Sequence, residues 1–134
     1  MKVLGLDHVA IAVRNLDEAV EKFSAVLGSD YIIEDVPEEN VRIAMFRVGN
    51  VRIELLQPLS DQSAVAKFIE KRGEGIHHVA VRVENIDEAC RELREAGYRL
   101  VYEAPKSVAG GKRRINFVHP KDLHGVLLEL VEGE

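Results

Sequence analysis

The 134-residue chain has one cysteine, no tryptophan and few aromatic residues. Because Cys90 stands alone, an intrachain disulfide and a zinc site built on several cysteines are both excluded. No apolar run approaches the ~20 residues that cross a bilayer. The opening segment, MKVLGLDHVAIAV, lacks the cleavage pattern of a signal peptide, so we expect a cytoplasmic protein that does not bind membranes. A net charge of -5 argues against a general nucleic-acid binder.

What the chain does contain is an internal repeat. Residues 8–19 read HVAIAVRNLDEA and residues 78–89 read HVAVRVENIDEA, so eight of twelve positions are identical at an offset of seventy. The segments IELL at 53–56 and LELV at 128–131 match more loosely near the end of each half. The chain therefore consists of two related units, each about half its length.

Each unit is predicted to have the element order βαβββ. A strand that alternates in side-chain size is followed by a helix with an Asn–x–x–Glu start, at Asn15 and again at Asn85. The strand-like runs that follow are residues 30–34, 41–48 and 51–57 in the first unit and 98–103, 113–118 and 126–132 in the second. We predict a single α+β domain over 1–134, with modules at about 4–58 and 75–133 joined by a helix at about 60–73.

Four residues occur in paired repeat positions and could hold a metal. His8 and His78 lie on the first strand of each unit, and Glu54 and Glu129 lie on the last. Two imidazoles and two carboxylates suit a divalent ion, with Co²⁺ as our first expectation and Ni²⁺, Zn²⁺ or Mn²⁺ as alternatives. Strand-capping histidines and surface Glu–Arg pairs are the simpler interpretation of each residue taken alone, but the pairing of all four favours the metal site.

These motifs resemble the vicinal oxygen chelate superfamily, and more specifically its methylmalonyl-CoA epimerases. The resemblance covers nearly the whole chain. It depends on DHVAIAV and HHVAVRV, on ELLQPL at 54–59, on SAVAKFIEKRGEGIHHVAVRV at 63–83 and on GGKRRINFVHPKDLHGVLLEL at 110–130. It implies the glyoxalase/bleomycin resistance/dioxygenase fold, in which two tandem βαβββ modules form a cupped mixed sheet that binds one divalent metal.

The resemblance also implies an isomerase that interconverts (2R)- and (2S)-methylmalonyl-CoA through a metal-stabilised enolate. Carried over by position, the metal ligands are His8, Glu54, His78 and Glu129, and Glu129 is the candidate for one of two acid/base groups. Family members are proposed to use a further Glu, which aligns within residues 42–44. This chain has Arg, Ile and Ala there, so the second group is not identified.

A basic loop could receive the phosphates of CoA. Residues 104–121 contain five Lys or Arg and no acidic residue, although the chain as a whole is acidic. Arg114 and Lys121 are the first candidates for substrate contacts, and a solvated basic loop is the alternative.

Three other functions share this pattern. A lactoylglutathione lyase uses the same ligand types, and the 110–130 segment and the basic loop favour the CoA substrate over it. A metal-free module that sequesters a small molecule is disfavoured by the four intact ligand positions. An extradiol dioxygenase is disfavoured because its iron is held by two His and one carboxylate. We also expect a homodimer, because such a half-open sheet leaves an apolar face to cover.

Overall fold

The computed structural model describes residues 1–133. It contains helices α1 (Leu16–Leu27), α2 (Ala64–Arg72) and α3 (Ile86–Glu95), and strands β1 (Val3–Ala12), β2 (Tyr31–Val36), β3 (Val41–Val48), β4 (Val51–Pro58), β5 (Gly75–Val83), β6 (Lys106–Val108), β7 (Arg113–Val118) and β8 (Leu128–Gly133). Short 3-10 turns follow β2 and β7. None of the helices in this part of the chain has the length and apolar character needed to span a bilayer.

The chain divides into two compact units. The His8 unit is residues His8–His77, and the His78 unit combines Met1–Asp7 with the residues from His78 onward. In the His8 unit the strands lie in the order β2-β3-β4-β1, with β4 parallel to β1 and the other pairs antiparallel. In the His78 unit the order is β6-β7-β8-β5, again with one parallel pair, β5 and β8. Each unit is therefore a mixed α+β arrangement with the same topology.

The strand register repeats as well as the topology. Ala10 on β1 lies opposite Glu54 on β4, and Ala80 on β5 lies opposite Glu129 on β8. Since side chains two residues apart share a face of a strand, each histidine lies on the same face as the glutamate of its own unit. The repeat in the sequence thus corresponds to a repeat in the backbone pairing.

The helix starts form as the sequence predicts. The side chain of Asn15 accepts a hydrogen bond from the backbone N–H of Glu18, and Asn85 does the same for Glu88. Each cap residue has extended backbone angles, so the chain turns directly from strand into helix. These turns bring the apolar stripes of α1 and α3 onto their sheets.

Each unit has its own hydrophobic core between helix and sheet. In the His8 unit, buried residues of α1 pack against Phe46 and Leu55 of the sheet. In the His78 unit, Ile86, Ala89 and Cys90 of α3 pack against Leu130. The single cysteine, Cys90, is buried in this core. These cores fix the strands whose opposite faces carry the paired His and Glu residues.

The strand predicted at 98–103 is wrong. The structure instead has the short β6 at Lys106–Val108, and the backbone of the predicted segment pairs with β7 in an isolated bridge, Leu100 to Val118. The side chain of Asn116 accounts for the missing ladder. Its Oδ1 accepts a hydrogen bond from Tyr102 N at 3.0 Å, and its Nδ2 donates a hydrogen bond to Tyr102 O at 3.0 Å. This amide takes the place of a strand partner, so the segment follows β7 without forming a regular ladder. The run predicted at 126–132 also begins later, at Leu128.

Candidate metal centre

The His8 unit carries one pair of candidate ligands, His8 and Glu54. Parallel pairing of β1 with β4 places both side chains on one face, and both residues are buried. His8 Nε2 lies 3.6 Å from Glu54 Oε1. A nitrogen and an oxygen donor therefore converge within the His8 unit.

The His78 unit carries a second pair of candidate ligands, His78 and Glu129. The parallel pairing of β5 with β8 repeats the geometry, and both residues are again buried. His78 Nε2 lies 2.9 Å from Glu129 Oε1. The ring of Phe117 meets the His78 imidazole edge to face, with the ring centroids 5.4 Å apart, and so restricts the orientation of the imidazole.

The donor chemistry of both pairs fits a divalent cation. Burying a carboxylate costs free energy unless a positive charge or hydrogen bonds compensate it. Each unit places a buried imidazole nitrogen beside a buried carboxylate oxygen, and this N/O donor set is the one that Co²⁺, Ni²⁺ and Zn²⁺ accept. Each pair thus supplies candidate ligands for a divalent cation.

A further charged side chain, Arg52, reaches the face of the His8 unit that carries His8 and Glu54. Arg52 Nε donates a hydrogen bond to Glu54 Oε2 at 3.1 Å. The sequence places Arg52 on the face of Glu54, since the two residues are two apart on β4, but alternation alone did not indicate a functional contact.

The two predicted substrate-binding residues lie in the His78 unit in different settings. Arg114 on β7 makes two hydrogen bonds to the carboxylate of Asp87, at 2.7 and 2.9 Å, and its Nη1 is 3.8 Å from Glu132. The hydrogen bond with Asp87 is the main cause that raises the pKa of Arg114, and it lowers the pKa of Asp87. Lys121 is exposed on the 3-10 turn Pro120–Asp122.

His119 has a local role that sequence reasoning did not assign. Its Nδ1 accepts a hydrogen bond from the backbone N–H of Lys121 at 3.1 Å, and so it caps the short turn that carries Lys121. The motif HPK, with proline at the start of a turn, is the signal that could have indicated this cap.

Comparison with known proteins identifies the family. Residues 7–117 match the model of the Glyoxalase/Bleomycin resistance protein/Dioxygenase superfamily. The mitochondrial methylmalonyl-CoA epimerase of Homo sapiens is 41% identical over 131 residues, which are 96% of this chain and 73% of that protein. A lactoylglutathione lyase of Escherichia coli O157:H7 is 29% identical, over 93% of this chain and 90% of that protein.

Solved structures agree in fold over almost the whole chain. The methylmalonyl-CoA epimerase of Mycobacterium tuberculosis superposes with a TM-score of 0.87 and 44% identity, covering 98% of this chain and 89% of that one. A methylmalonyl-CoA epimerase in complex with methylmalonyl-CoA and NH4+ gives a TM-score of 0.91 and 37% identity, covering 98% and 96%. The fold class predicted from the sequence is confirmed. The chain belongs to the glyoxalase/bleomycin resistance protein/dioxygenase superfamily and, within it, to the family that contains the methylmalonyl-CoA epimerases.

Proposed function

We propose that this protein is a methylmalonyl-CoA epimerase that interconverts the (2R) and (2S) forms. The observation that carries the proposal is the presence of two matched, buried His–Glu pairs. They occur in a chain of which 96% aligns with the human epimerase at 41% identity. A related structure that contains methylmalonyl-CoA supports the same substrate.

The four buried residues His8, Glu54, His78 and Glu129 together are our proposed ligands of one divalent ion, with Co²⁺ as the first candidate and Ni²⁺, Zn²⁺ or Mn²⁺ as alternatives. When bound, such an ion acts as a Lewis acid that stabilises negative charge on the thioester oxygen. The histidines supply neutral nitrogen donors, and the carboxylates balance the charge of the cation.

Glu129 is our candidate for one of the two proton transfers. In the forward direction its carboxylate takes the proton from C2, and the electron pair of the C–H bond moves into the enolate. A second group returns a proton to the opposite face of C2. Residue 43, near which the family resemblance implies a further Glu, is a buried isoleucine on β3, so that position does not supply the second group.

Arg114 and Lys121 are our proposed contacts for the phosphates of CoA. Both belong to residues 104–121, which contain five Lys or Arg and no acidic residue, and a phosphate is a ligand for both side chains. Since Arg114 already binds the Asp87 carboxylate, a phosphate at this position has to compete with Asp87 or share the guanidinium with it.

Assembly and location complete the proposal. We propose a homodimer, and the exposed apolar residues Val3, Leu4 and Leu6 at the start of β1 supply surface that a second copy could cover. A cytoplasmic location is part of the same proposal.

The lactoylglutathione lyase alternative has less support, since the lyase relative is 29% identical and the human epimerase 41%. A metal-free sequestering module also has less support, because it gives no reason for two buried carboxylates that each lie beside an imidazole.

Proton NMR in D₂O tests the proposal directly. We expect Co²⁺-loaded protein to replace the C2 proton of (2R)-methylmalonyl-CoA with deuterium and to form the (2S) epimer. A chelator-treated sample and the variant His78→Ala should lose this activity. The control His124→Asn should keep it, because His124 is exposed and asparagine tolerates its left-handed backbone angles. If the C2 proton persists while the glutathione adduct of methylglyoxal is consumed, the lyase assignment replaces this one.

A further inference from the structure

The Glu54 carboxylate uses its two oxygens differently. Oε1 lies 3.6 Å from His8 Nε2, and Oε2 accepts a hydrogen bond from Arg52 Nε at 3.1 Å. All three residues belong to the His8 unit. One oxygen is therefore held by an arginine, while the other faces the imidazole.

Arg52 is placed for this contact by the strands themselves. It lies two residues before Glu54 on β4, so both side chains leave the same face, and its Cα is paired with His8 in the register of β1 and β4. Its side chain is only 17% exposed, and that of Glu54 is 4% exposed. A contact between two such shielded charges is much less screened than a surface ion pair.

We propose that Arg52 is a positioning residue that makes Glu54 a one-oxygen metal ligand. By holding Oε2, the guanidinium fixes the carboxylate plane and directs Oε1 toward the side on which His8 offers its nitrogen. Hydrogen bonds that orient metal ligands in this way commonly contribute tenfold to hundredfold to metal affinity. The inference rests on the metal site proposed above.

The His78 unit has a different residue at the equivalent position. The residue two before Glu129 on the chain is Leu127, whose carbonyl accepts a hydrogen bond from Val79 N at 3.3 Å, next to His78. The leucine side chain cannot donate a hydrogen bond to a carboxylate. The two carboxylates of the repeat thus differ in what stands two residues before them.

Titration of the apoprotein with Co²⁺ tests the role of Arg52 without measuring catalysis. Loss of a positive charge by itself should strengthen binding of a cation, whereas loss of the orienting hydrogen bond should weaken it. We expect Arg52→Met to lower Co²⁺ affinity by at least about tenfold. The control is Arg47→Met. Arg47 is exposed and pairs with Arg52 across β3 and β4, so this variant also removes one positive charge near the site. It should not lower the affinity for Co²⁺.

A double-mutant cycle assigns the effect to Glu54. In the Glu54→Gln background, where the carboxylate is absent, Arg52→Met should change Co²⁺ affinity by less than about threefold. Melting of each apoprotein checks that the variants fold. An unchanged or higher affinity for Arg52→Met, or an equal loss in both backgrounds, overturns the inference. If wild-type protein binds no Co²⁺, the metal proposal fails together with the inference, whereas normal Co²⁺ binding by both wild type and Arg52→Met refutes the inference alone.

Discussion

The hydrogen bonds that the Asn116 side chain makes to the backbone of Tyr102 lead to a quantitative prediction about the stability of the fold. Asn116 is fully buried on β7, and its amide makes three hydrogen bonds to backbone groups: one to each backbone polar atom of Tyr102, and one to Phe117 N at 2.8 Å. The substitution Asn116→Leu keeps most of the volume and removes all three. At about 0.5–1.5 kcal/mol for each bond, the free energy of unfolding should fall by roughly 2–4 kcal/mol.

Urea denaturation followed by circular dichroism measures this loss. A change of that size corresponds to a drop in melting temperature of roughly 10 °C for a chain of this length. The control Asn50→Ala, in the exposed turn between β3 and β4, should stay within about 0.5 kcal/mol of wild type. Amide hydrogen exchange should also accelerate at Tyr102. A loss below about 1 kcal/mol for Asn116→Leu would show that the amide does not hold this segment, and the reasoning would be refuted.

Two further predictions concern titrating groups in the His78 unit. The hydrogen bonds from Arg99 lower the pKa of Asp122 from 3.8 to about 2, so the stabilisation by this pair is complete above about pH 4 and is lost as the pH falls toward 2. The difference in urea midpoint between wild type and Asp122→Asn should accordingly shrink over that range, and a difference independent of pH would contradict the assignment. Burial raises the pKa of the Cys90 thiol, so it should react with a disulfide reagent only after denaturant is added. Rapid reaction of the native protein would show that α3 opens readily.

Much of the fold could be predicted because the information is local and occurs twice. The alternation along β1 and β5 and the asparagine caps of α1 and α3 are short-range patterns. Their recurrence at a fixed offset of seventy residues predicts two related modules from the amino-acid sequence alone. The paired His and Glu positions follow from the same repeat, since equivalent strands carry equivalent residues.

What could not be predicted depends on contacts between distant parts of the chain. The strand expected at 98–103 is replaced by a segment held by Asn116, a residue that in the sequence looks like any other polar position on a strand. The pairing of Arg114 with Asp87 joins β7 to α3 across 27 positions, and no periodicity indicates it. Local propensity describes a segment by itself, and these contacts are decided by what packs beside it.

The two units differ in the residue that stands two positions before the glutamate of each repeat, Glu54 or Glu129, and this difference bears on the roles of the two carboxylates. Epimerisation removes a proton from one face of C2 and returns it to the other, so the two groups that serve it must hold different protonation states at the start of each turnover. A repeat that stayed identical would offer two equal carboxylates. Here the residue two before Glu54 is Arg52, which binds one carboxylate oxygen, and the residue two before Glu129 is Leu127. On the proposed function, Glu54 is a metal ligand oriented by Arg52, whereas Glu129, which is proposed both as a ligand and as one acid/base group, follows a leucine in the equivalent position.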